Sequence, residues 1–308
     1  MLFMVRFAIV GYGNLGKGVE SALLKRDDAK IVGIFSRRDP STLKTQGSKT
    51  FHYDTLFEMK KDIDVCILCG GSAHDLPTQT PELSKYFNTV DSYDNHQMIK
   101  THKENVASQI DNTVSIISVG WDPGLFSLMR LYATSILNSQ ETFWGEGISQ
   151  GHSDALRRIE GVIDAVQVTV PNPSAMEKAR EGQTDLKDKH QRVCYVVTDR
   201  KDKDILTQEI KTMPNYFLGY DTTVHYVTQT ELNEKFPTMP HGGFVIGSDE
   251  ASIMEFSLKL KSNPTFTAQV LLAYAYAAYN MQQDGIHGAH TVFDVAPKYL
   301  LDDNLSIL

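Results

Sequence analysis

The first forty residues contain a strand, a glycine loop and a helix, a pattern that constrains the fold more than any other feature of the chain. The apolar run Val5 to Val10 leads directly into Gly11-x-Gly13-x-x-Gly16 and then into apolar residues at helical spacing. In such a loop the glycines allow a tight turn, close approach of a pyrophosphate and close helix packing. The helix N-terminus adds free N–H groups and a positive dipole end. The pattern predicts a dinucleotide site with contacts from Gly11, Tyr12, Gly13, Asn14, Leu15 and Gly16.

The end of the second predicted strand indicates which dinucleotide is bound. Ile31 to Phe35 forms this strand, and Ser36, Arg37 and Arg38 follow it. Sites that prefer NAD place an Asp or Glu here for the ribose hydroxyl, whereas a hydroxyl and two guanidinium groups suit a 2′-phosphate. The sequence therefore predicts NADP as the cofactor. The alternative is that the two arginines form a solvated surface pair beside Asp39.

Strands alternate with helices through the first 120 residues. After the second strand the predicted strands are Val65 to Leu68, Thr89 to Asp91 and Val114 to Val119, with helices between them. This order predicts an α/β fold with a doubly wound parallel sheet of the Rossmann type. From Val166 onward short β-branched runs alternate with helical segments, which predicts a second α+β domain on a mixed or antiparallel sheet.

Length and composition favour two domains and small ligands. At 308 residues and 41% hydrophobic content the chain is long enough for two cores. The predicted domains are a dinucleotide-binding domain, 1–121, and a substrate-binding and dimerisation domain, 122–263, with the helical segment 264–308 packing back on the first. A net charge of -8 argues against nucleic acid or an anionic membrane as partner.

The sequence carries no targeting or disulfide signal. No apolar run approaches the length of a membrane span and the N-terminus does not resemble a signal peptide, so we expect a cytoplasmic protein. Three cysteines do not suit a disulfide framework. Cys66 and Cys69 share one strand with opposite orientations, which predicts buried thiols rather than a redox pair. No motif supports a metal site.

Three polar or glycine-rich segments follow predicted strands, where ligands of parallel sheets bind. We expect cofactor contacts from Cys69, Gly70, Gly71, Ser72, Ser92, Tyr93, Asp94, Gly120, Trp121, Asp122, Pro123 and Gly124. Asp91, Asp94 and Asp122 form a candidate reaction centre, because two of these segments place aspartates where a nicotinamide ring would lie. The alternative role of these aspartates is to cap helices or close turns.

The chain resembles the meso-diaminopimelate dehydrogenase family from about Arg6 to the last long helix. The blocks that carry the resemblance are Tyr93-Asp94-Asn95-His96, Gly120-Trp121-Asp122-Pro123-Gly124, Gly147 to Ile159 and Met239 to Gly243. The resemblance implies NADP-dependent oxidative deamination of the D-centre of meso-2,6-diaminopimelate, giving L-2-amino-6-oxopimelate and ammonia. It also implies a homodimer, and we expect its interface at the helix that follows Gly124. Departures from the family pattern fall around Gly182 to His190 and in the tail that ends at Leu308.

The resemblance also implies roles for individual residues. It places the reacting D-centre near Asp91 or Asp94, Asp122, Trp121, Trp144, Gln150 and Gly151. It assigns the distal L-centre to Arg192, which binds the carboxylate, with Thr169, His241 and Asn263 around it. Taken alone, these residues are equally typical of strands, turns and cores.

Two other functions remain open at this level. One is a related NAD(P)-dependent reductase of another small dicarboxylate, such as dihydrodipicolinate. The other is a non-catalytic NADP sensor, which has no need of groups that bind a substrate carboxylate and ammonium.

Overall fold

The structure of the chain is a computed structural model that describes residues 4–301. The chain divides into two compact units. The first contains the residues up to Leu128 and those from Pro264 onward, and the second contains Met129–Asn263. The predicted segment 264–308 therefore belongs to the first unit as far as residue 301, and the tail beyond it lies outside the described residues.

Strands and helices are numbered in chain order. The strands are β1 Val5–Val10, β2 Ala29–Ser36, β3 Thr50–His52, β4 Val65–Leu68, β5 Asn88–Asp91, β6 Val114–Ile116, β7 Ser139–Trp144, β8 Gly147–Ile148, β9 Val162–Pro171, β10 His190–Thr198, β11 Asp221–Tyr226, β12 His241–Ser248, β13 Ile253–Leu260 and β14 Gly288–His290. The helices are α1 Asn14–Leu23, α2 Leu76–Ser84, α3 Ile99–Ala107, α4 Phe126–Ile136, α5 Gln150–Arg157, α6 Pro173–Arg180, α7 Lys203–Lys211, α8 Gln229–Lys235 and α9 Asn263–Gln283.

The first unit is built on a parallel sheet. Within residues 4–301 this sheet has seven strands in the order β14-β6-β5-β4-β1-β2-β3, and every neighbouring pair is parallel. The order β3-β2-β1-β4-β5-β6 is that of a doubly wound sheet. The chain adds strands towards one edge as far as β3 and then towards the other edge from β4, so the order reverses between β1 and β4. The predicted Rossmann-type fold is confirmed.

Alternation along the central strands divides the core of the first unit between two faces. Phe7 and Ile9 of β1 pack in one apolar cluster together with Leu271 and Ala275 of α9. Ala8 and Val10 point the other way and belong to a second cluster. This is the two-residue period of a strand, with one apolar cluster on each face of the sheet.

The two cysteines near β4 also face opposite ways. Cys66 lies in one apolar cluster and Cys69 in the other, and both thiols are free. Burial raises the pKa of both thiols well above the ordinary value, so neither is a ready nucleophile.

The second unit contains two sheets where the sequence predicts one. Within the described residues these are a mixed sheet in the order β11-β10-β9-β8 and an antiparallel sheet in the order β13-β12-β7. The antiparallel sheet was missed because β12 carries three glycines, which weaken the strand signal. The glycine-rich segment Trp144 to His152 contains β8 and the first turn of α5.

Residues 4–301 contain no helix that is both long and apolar enough to cross a membrane. They also contain no cluster of three or more His, Cys, Asp or Glu side chains able to hold a metal ion.

Candidate active site

A cleft of about 580 Å³ lies at the carboxyl ends of β1, β2 and β4 in the first unit. It brings together the glycine loop, the residues after β2 and those after β4. The predicted cofactor residues that line it are Gly11, Tyr12, Gly13, Ser36, Arg37, Arg38, Cys69, Gly70 and Gly71.

The three glycines of the loop differ in their backbone conformation and in the space around them. Gly11 has φ of +92°, a conformation that side chains rarely adopt. A Cβ on Gly16 would lie 2.4 Å from the carbonyl oxygen of Gly11, so this position needs glycine for packing. A Cβ on Gly13 would meet no atom within 4 Å. The backbone at Gly13 is therefore open to a ligand at the N-terminus of α1.

The polar groups after β2 are held by their neighbours. The backbone N–H of Arg38 donates to Ser36 Oγ at 3.1 Å, and the Arg38 guanidinium donates to the carbonyl oxygen of Tyr12. Arg37, whose side chain is 63% exposed, pairs with Asp75. These contacts hold the two guanidinium groups beside the glycine loop.

Asp75 was not predicted to belong to the site. It precedes α2, and its Oδ2 accepts from the Gly71 N–H at 2.7 Å while Oδ1 accepts from Arg37. Burial opposes its charge, but these hydrogen bonds outweigh burial and lower the pKa of the carboxyl. Tyr53 and Gln79 also line the cleft and were also missed. No short motif marks these residues, because chain folding alone brings them to the cleft.

The other predicted cofactor residues do not line this cleft. Leu15 packs against the core, and Tyr93 lies under the ring of His102 with centroids 4.2 Å apart. The remaining ones belong to the first turn of α1 or to the segments that follow β4, β5 and β6. They are Asn14, Gly16, Ser72, Ser92, Asp94, Gly120, Trp121, Asp122, Pro123 and Gly124.

The three candidate aspartates stand in different surroundings. Asp94 is exposed, its Oδ1 accepts from the hydroxyl of Ser72, and its N–H donates to Ser72 Oγ at 2.9 Å. Asp122 is half-buried. Asp91 has no exposed surface, and its carboxylate is fully engaged with neighbouring groups. Asp94 and Asp122 are thus accessible to a substrate, whereas Asp91 is not.

Trp121 is predicted to contact both the cofactor and the substrate. Its ring is mostly buried and stands edge-on to Phe126, with centroids 5.2 Å apart. This contact fixes the start of α4 against the segment that follows β6.

The second unit contains a buried guanidinium. Arg192 of β10 is only 9% exposed and pairs across the sheet with Thr169 of β9, whose Oγ1 accepts from Arg192 Nη1 at 3.0 Å. The guanidinium carbon also lies 4.3 Å from the centre of the Tyr220 ring. Among residues 4–301 no carboxylate pairs with Arg192, and its Nε has no hydrogen-bond partner.

Two histidines near Arg192 are held neutral. Burial, together with the positive charge of Arg192, lowers the pKa of both His152 and His190 to about 4. His190 Nε2 accepts from the Trp144 N–H at 2.9 Å, and the two rings lie 5.5 Å apart. Trp144 itself is 38% exposed. The surroundings of Arg192 therefore carry positive charge that protein groups do not neutralise, which is the property of an anion site.

The other predicted substrate residues lie on neighbouring segments. Gln150 and Gly151 are exposed at the start of α5. Asn263 is half-buried, and its N–H donates to the carbonyl oxygen of Met239 at 3.1 Å. His241 begins β12 and lines a cavity of about 680 Å³. Val168 and Val193 line that cavity, but Thr169 and Arg192 do not, because adjacent strand residues face opposite ways.

The fold and these two sets of residues define a dinucleotide-binding protein of the Rossmann type with a buried guanidinium in its second unit that no carboxylate among the described residues neutralises. Residues 120–262 match the family described as the diaminopimelic acid dehydrogenase C-terminal domain. The meso-diaminopimelate D-dehydrogenase of Ureibacillus thermosphaericus is 50% identical over 305 residues, which cover 94% of each chain. The chain belongs to the meso-diaminopimelate dehydrogenase family.

Solved structures agree in both fold and sequence. The C. glutamicum DAP dehydrogenase in complex with DAP is 44% identical, with a TM-score of 0.89 and coverage of 99% of this chain and 97% of that one. An engineered D-amino acid dehydrogenase bound to NADP+ is 43% identical, with a TM-score of 0.83 and coverage of 98% and 97%.

Proposed function

We propose that this chain catalyses the reversible, NADP-dependent oxidative deamination of the D-centre of meso-2,6-diaminopimelate. The products are L-2-amino-6-oxopimelate, ammonia and NADPH. Membership of the family supports the reaction, and the observation that carries the substrate class is the buried Arg192 without an acidic partner among the described residues. A buried guanidinium of this kind requires an anion, and each end of the substrate carries a carboxylate.

The residues of the first unit fit NADP. The open backbone at Gly13 and the N-terminus of α1 suit the pyrophosphate, and Ser36, Arg37 and Arg38 suit the 2′-phosphate. When bound, the oxidised cofactor accepts a hydride from the substrate. The protein contributes position and charge, and we assign the first unit to dinucleotide binding.

The distal L-centre is assigned to the second unit. Arg192 binds its carboxylate through the donors that do not contact Thr169, and Thr169 fixes the orientation of the guanidinium. His241 and Asn263 complete the proposed contacts of the L-centre, whereas Trp144, Gln150 and Gly151 keep the role beside the D-centre that the resemblance implies. Because His152 and His190 are neutral, neither adds a positive charge that would bind this carboxylate alongside Arg192.

The reacting D-centre is assigned to Asp94 and Asp122, with Trp121 beside them. The two carboxylates accept hydrogen bonds from the substrate ammonium, which releases one proton to solvent before the α-hydrogen leaves with its electron pair. They then stabilise the iminium cation that forms. Water then adds to the iminium carbon, the carbon–nitrogen bond breaks and ammonia departs. The ring of Trp121 excludes water from one side of this centre until hydride transfer is complete.

We also propose that the chain forms a homodimer through α4. Leu131, Tyr132 and Ile136 of this helix are exposed, and Ile136 reaches 68%. Large apolar side chains that recur on one exposed helix mark an interface. Sedimentation velocity tests this assignment. The cytoplasmic location predicted from the sequence stays a prediction.

The reverse reaction separates this function from its alternatives. With L-2-amino-6-oxopimelate and NADPH, oxidation of the cofactor should require ammonium and saturate with it. A dihydrodipicolinate-type reductase would oxidise NADPH with its own substrate in the absence of ammonium, and a sensor would bind NADPH without turnover. Either of those results would contradict the proposal.

A further inference from the structure

The carboxylate of Asp91 connects the two segments that carry the proposed reaction centre. Asp91 ends β5, and its Oδ1 accepts from the Tyr93 N–H at 3.0 Å and from the Ser118 N–H at 2.8 Å. Its carbonyl oxygen accepts from the Val119 N–H at 2.8 Å. One oxygen atom of the side chain is therefore shared by the segment that leads to Asp94 and the segment that leads to Asp122.

The second oxygen fixes the rotation of this carboxylate. Oδ2 accepts from the Thr80 hydroxyl at 2.8 Å and lies 2.7 Å from His102 Nε2. Thr80 belongs to α2 and His102 to α3, so residues of two helices contact this side of the carboxylate. Both partners are buried, and the ring of His102 lies against Tyr93. With both oxygens engaged, Asp91 has no free acceptor to offer a substrate.

The backbone beside this contact is strained. Ser118 has φ of +57°, a conformation that non-glycine residues rarely adopt. Such a residue persists only when its surroundings fix it, and the bond from its N–H to Asp91 does so. Loss of that bond should let Ser118 relax, and Gly120, Trp121 and Asp122 would move with it.

We propose that Asp91 is a positioning residue for the reaction, and that it acts by fixing the separation of the 92–94 and 118–122 segments. This replaces the catalytic role that the sequence suggested for Asp91. The inference rests on the proposed function, since it matters to catalysis only if Asp94 and Asp122 bind the reacting centre. Thr80 and His102 support Asp91 and do not touch the substrate.

The test compares Asp91→Asn with Thr80→Val. Asp91→Asn keeps the size of the side chain but turns one oxygen into a donor, which must then face two N–H groups or the Thr80–His102 pair. Thr80→Val removes one supporting bond and leaves Oδ1 intact. We expect kcat to fall by about 10- to 100-fold in Asp91→Asn. The dissociation constant of NADPH should stay within about threefold in both variants, and kcat within about threefold of wild type in Thr80→Val.

Two further readouts separate positioning from other roles. With substrate deuterated at the D-centre, the isotope effect on kcat/KM should rise in Asp91→Asn, because hydride transfer becomes the slower step. In Asp91→Asn the value of kcat/KM should still fall on both the acidic and the basic side of its pH profile, as in the wild type. Loss of either decline would show that Asp91 itself exchanges a proton with the substrate. An unchanged kcat with a lower melting temperature would show a merely structural role. Either result overturns the proposal.

A third readout does not depend on activity. In Asp91→Asn, hydrogen exchange should become faster both in the peptide that contains Tyr93 and in the peptide that contains Ser118. In Thr80→Val it should become faster in neither peptide. If the wild-type protein does not turn over meso-diaminopimelate, the proposed function fails, and hydrogen exchange then decides whether Asp91 holds the two segments. If exchange is also unchanged in Asp91→Asn, the positioning role fails as well.

Discussion

Arg192 Nη1 donates to Thr169 Oγ1 at 3.0 Å across the pair formed by β9 and β10. The partner is a neutral hydroxyl, so the bond orients the guanidinium without neutralising it. Burial lowers the pKa of Arg192 but leaves the group charged at any physiological pH. The fold thus keeps a charged group in a buried place, and the stability of the free protein should be lower because of it.

Replacement of Arg192 should separate binding from stability. In Arg192→Leu the KM for meso-diaminopimelate should rise by about 100-fold or more, since a charge-assisted, two-point contact is lost. The dissociation constant of NADPH should not change. Arg192→Lys should recover only part of the loss, because an ammonium cannot bind a carboxylate through two parallel bonds.

The melting temperature of Arg192→Leu completes this prediction. It should equal or exceed that of the wild type, because no buried carboxylate among the described residues loses a partner. A variant with an unchanged KM and a lower melting temperature would mean that Arg192 serves the fold and not the substrate.

Two alanine substitutions in the glycine loop should behave differently. In Gly16→Ala the new Cβ would lie 2.4 Å from the Gly11 carbonyl oxygen, so both the melting temperature and NADP binding should fall. In Gly13→Ala the new Cβ meets no protein atom within 4 Å, so the melting temperature should stay within about 2 °C of wild type. NADP binding should nevertheless weaken by about tenfold or more, since the methyl group occupies the approach to the pyrophosphate.

Titration calorimetry with NADP+ and thermal unfolding measure the two properties separately. Equal losses of affinity and stability in both glycine variants would contradict the assignment of Gly13 to cofactor contact.

The double variant Arg37→Ala/Arg38→Ala should lower the preference for NADP. We expect the KM for NADP+ to rise by about 10- to 100-fold, because charge-assisted bonds to the 2′-phosphate are lost, while the KM for NAD+ changes little. Lys25→Ala, at an exposed position of the same unit, is the matched control for a lost surface charge. If the KM values for NADP+ and NAD+ rose equally in the double variant, this would show that the two arginines do not bind the 2′-phosphate.

His152 and His190 should make the fold sensitive to acid. Both have a pKa of about 4 in the folded chain, below the unfolded value of about 6.5, so the unfolded state binds more protons between these values. The stability they contribute is full above pH 6.5 and is lost as the pH falls towards 4. Chemical unfolding at steps across this range should show the decline, and His190→Gln should reduce its slope. A free energy of unfolding that is flat from pH 7 to 4 would contradict this.

Local sequence patterns predicted the parts of the fold that depend on local forces. The bounds of β1 and β4 agree with the predicted Val5 to Val10 and Val65 to Leu68, because continuous apolar runs specify buried parallel strands. The glycine loop follows from steric demands within a few residues. The glycine-rich β12 gives no such signal, and its pairing with β7 and β13 arises only in the folded chain.

The site contains relationships that no local pattern expresses. Asp75 meets Arg37 across 38 positions, and Asp91 meets Ser118 across 27. An aspartate at a strand end suggests a catalytic group, a turn residue or an anchor equally well. Only the positions of Thr80, His102, Tyr93 and Ser118 around it distinguish an anchor from a group that contacts the substrate.

Reduction of NADP+ in the presence of each diaminopimelate stereoisomer is the first test of the proposed function. The meso, LL and DD forms should be assayed in parallel through the absorbance of the reduced cofactor, with NAD+ as the control. We expect turnover of the meso form alone, because the proposed site needs an L-centre at Arg192 and a D-centre for the reaction. Equal rates with the DD form would contradict the assignment of the distal centre to Arg192. No turnover with any form, although NADP+ binds, would contradict the proposed substrate.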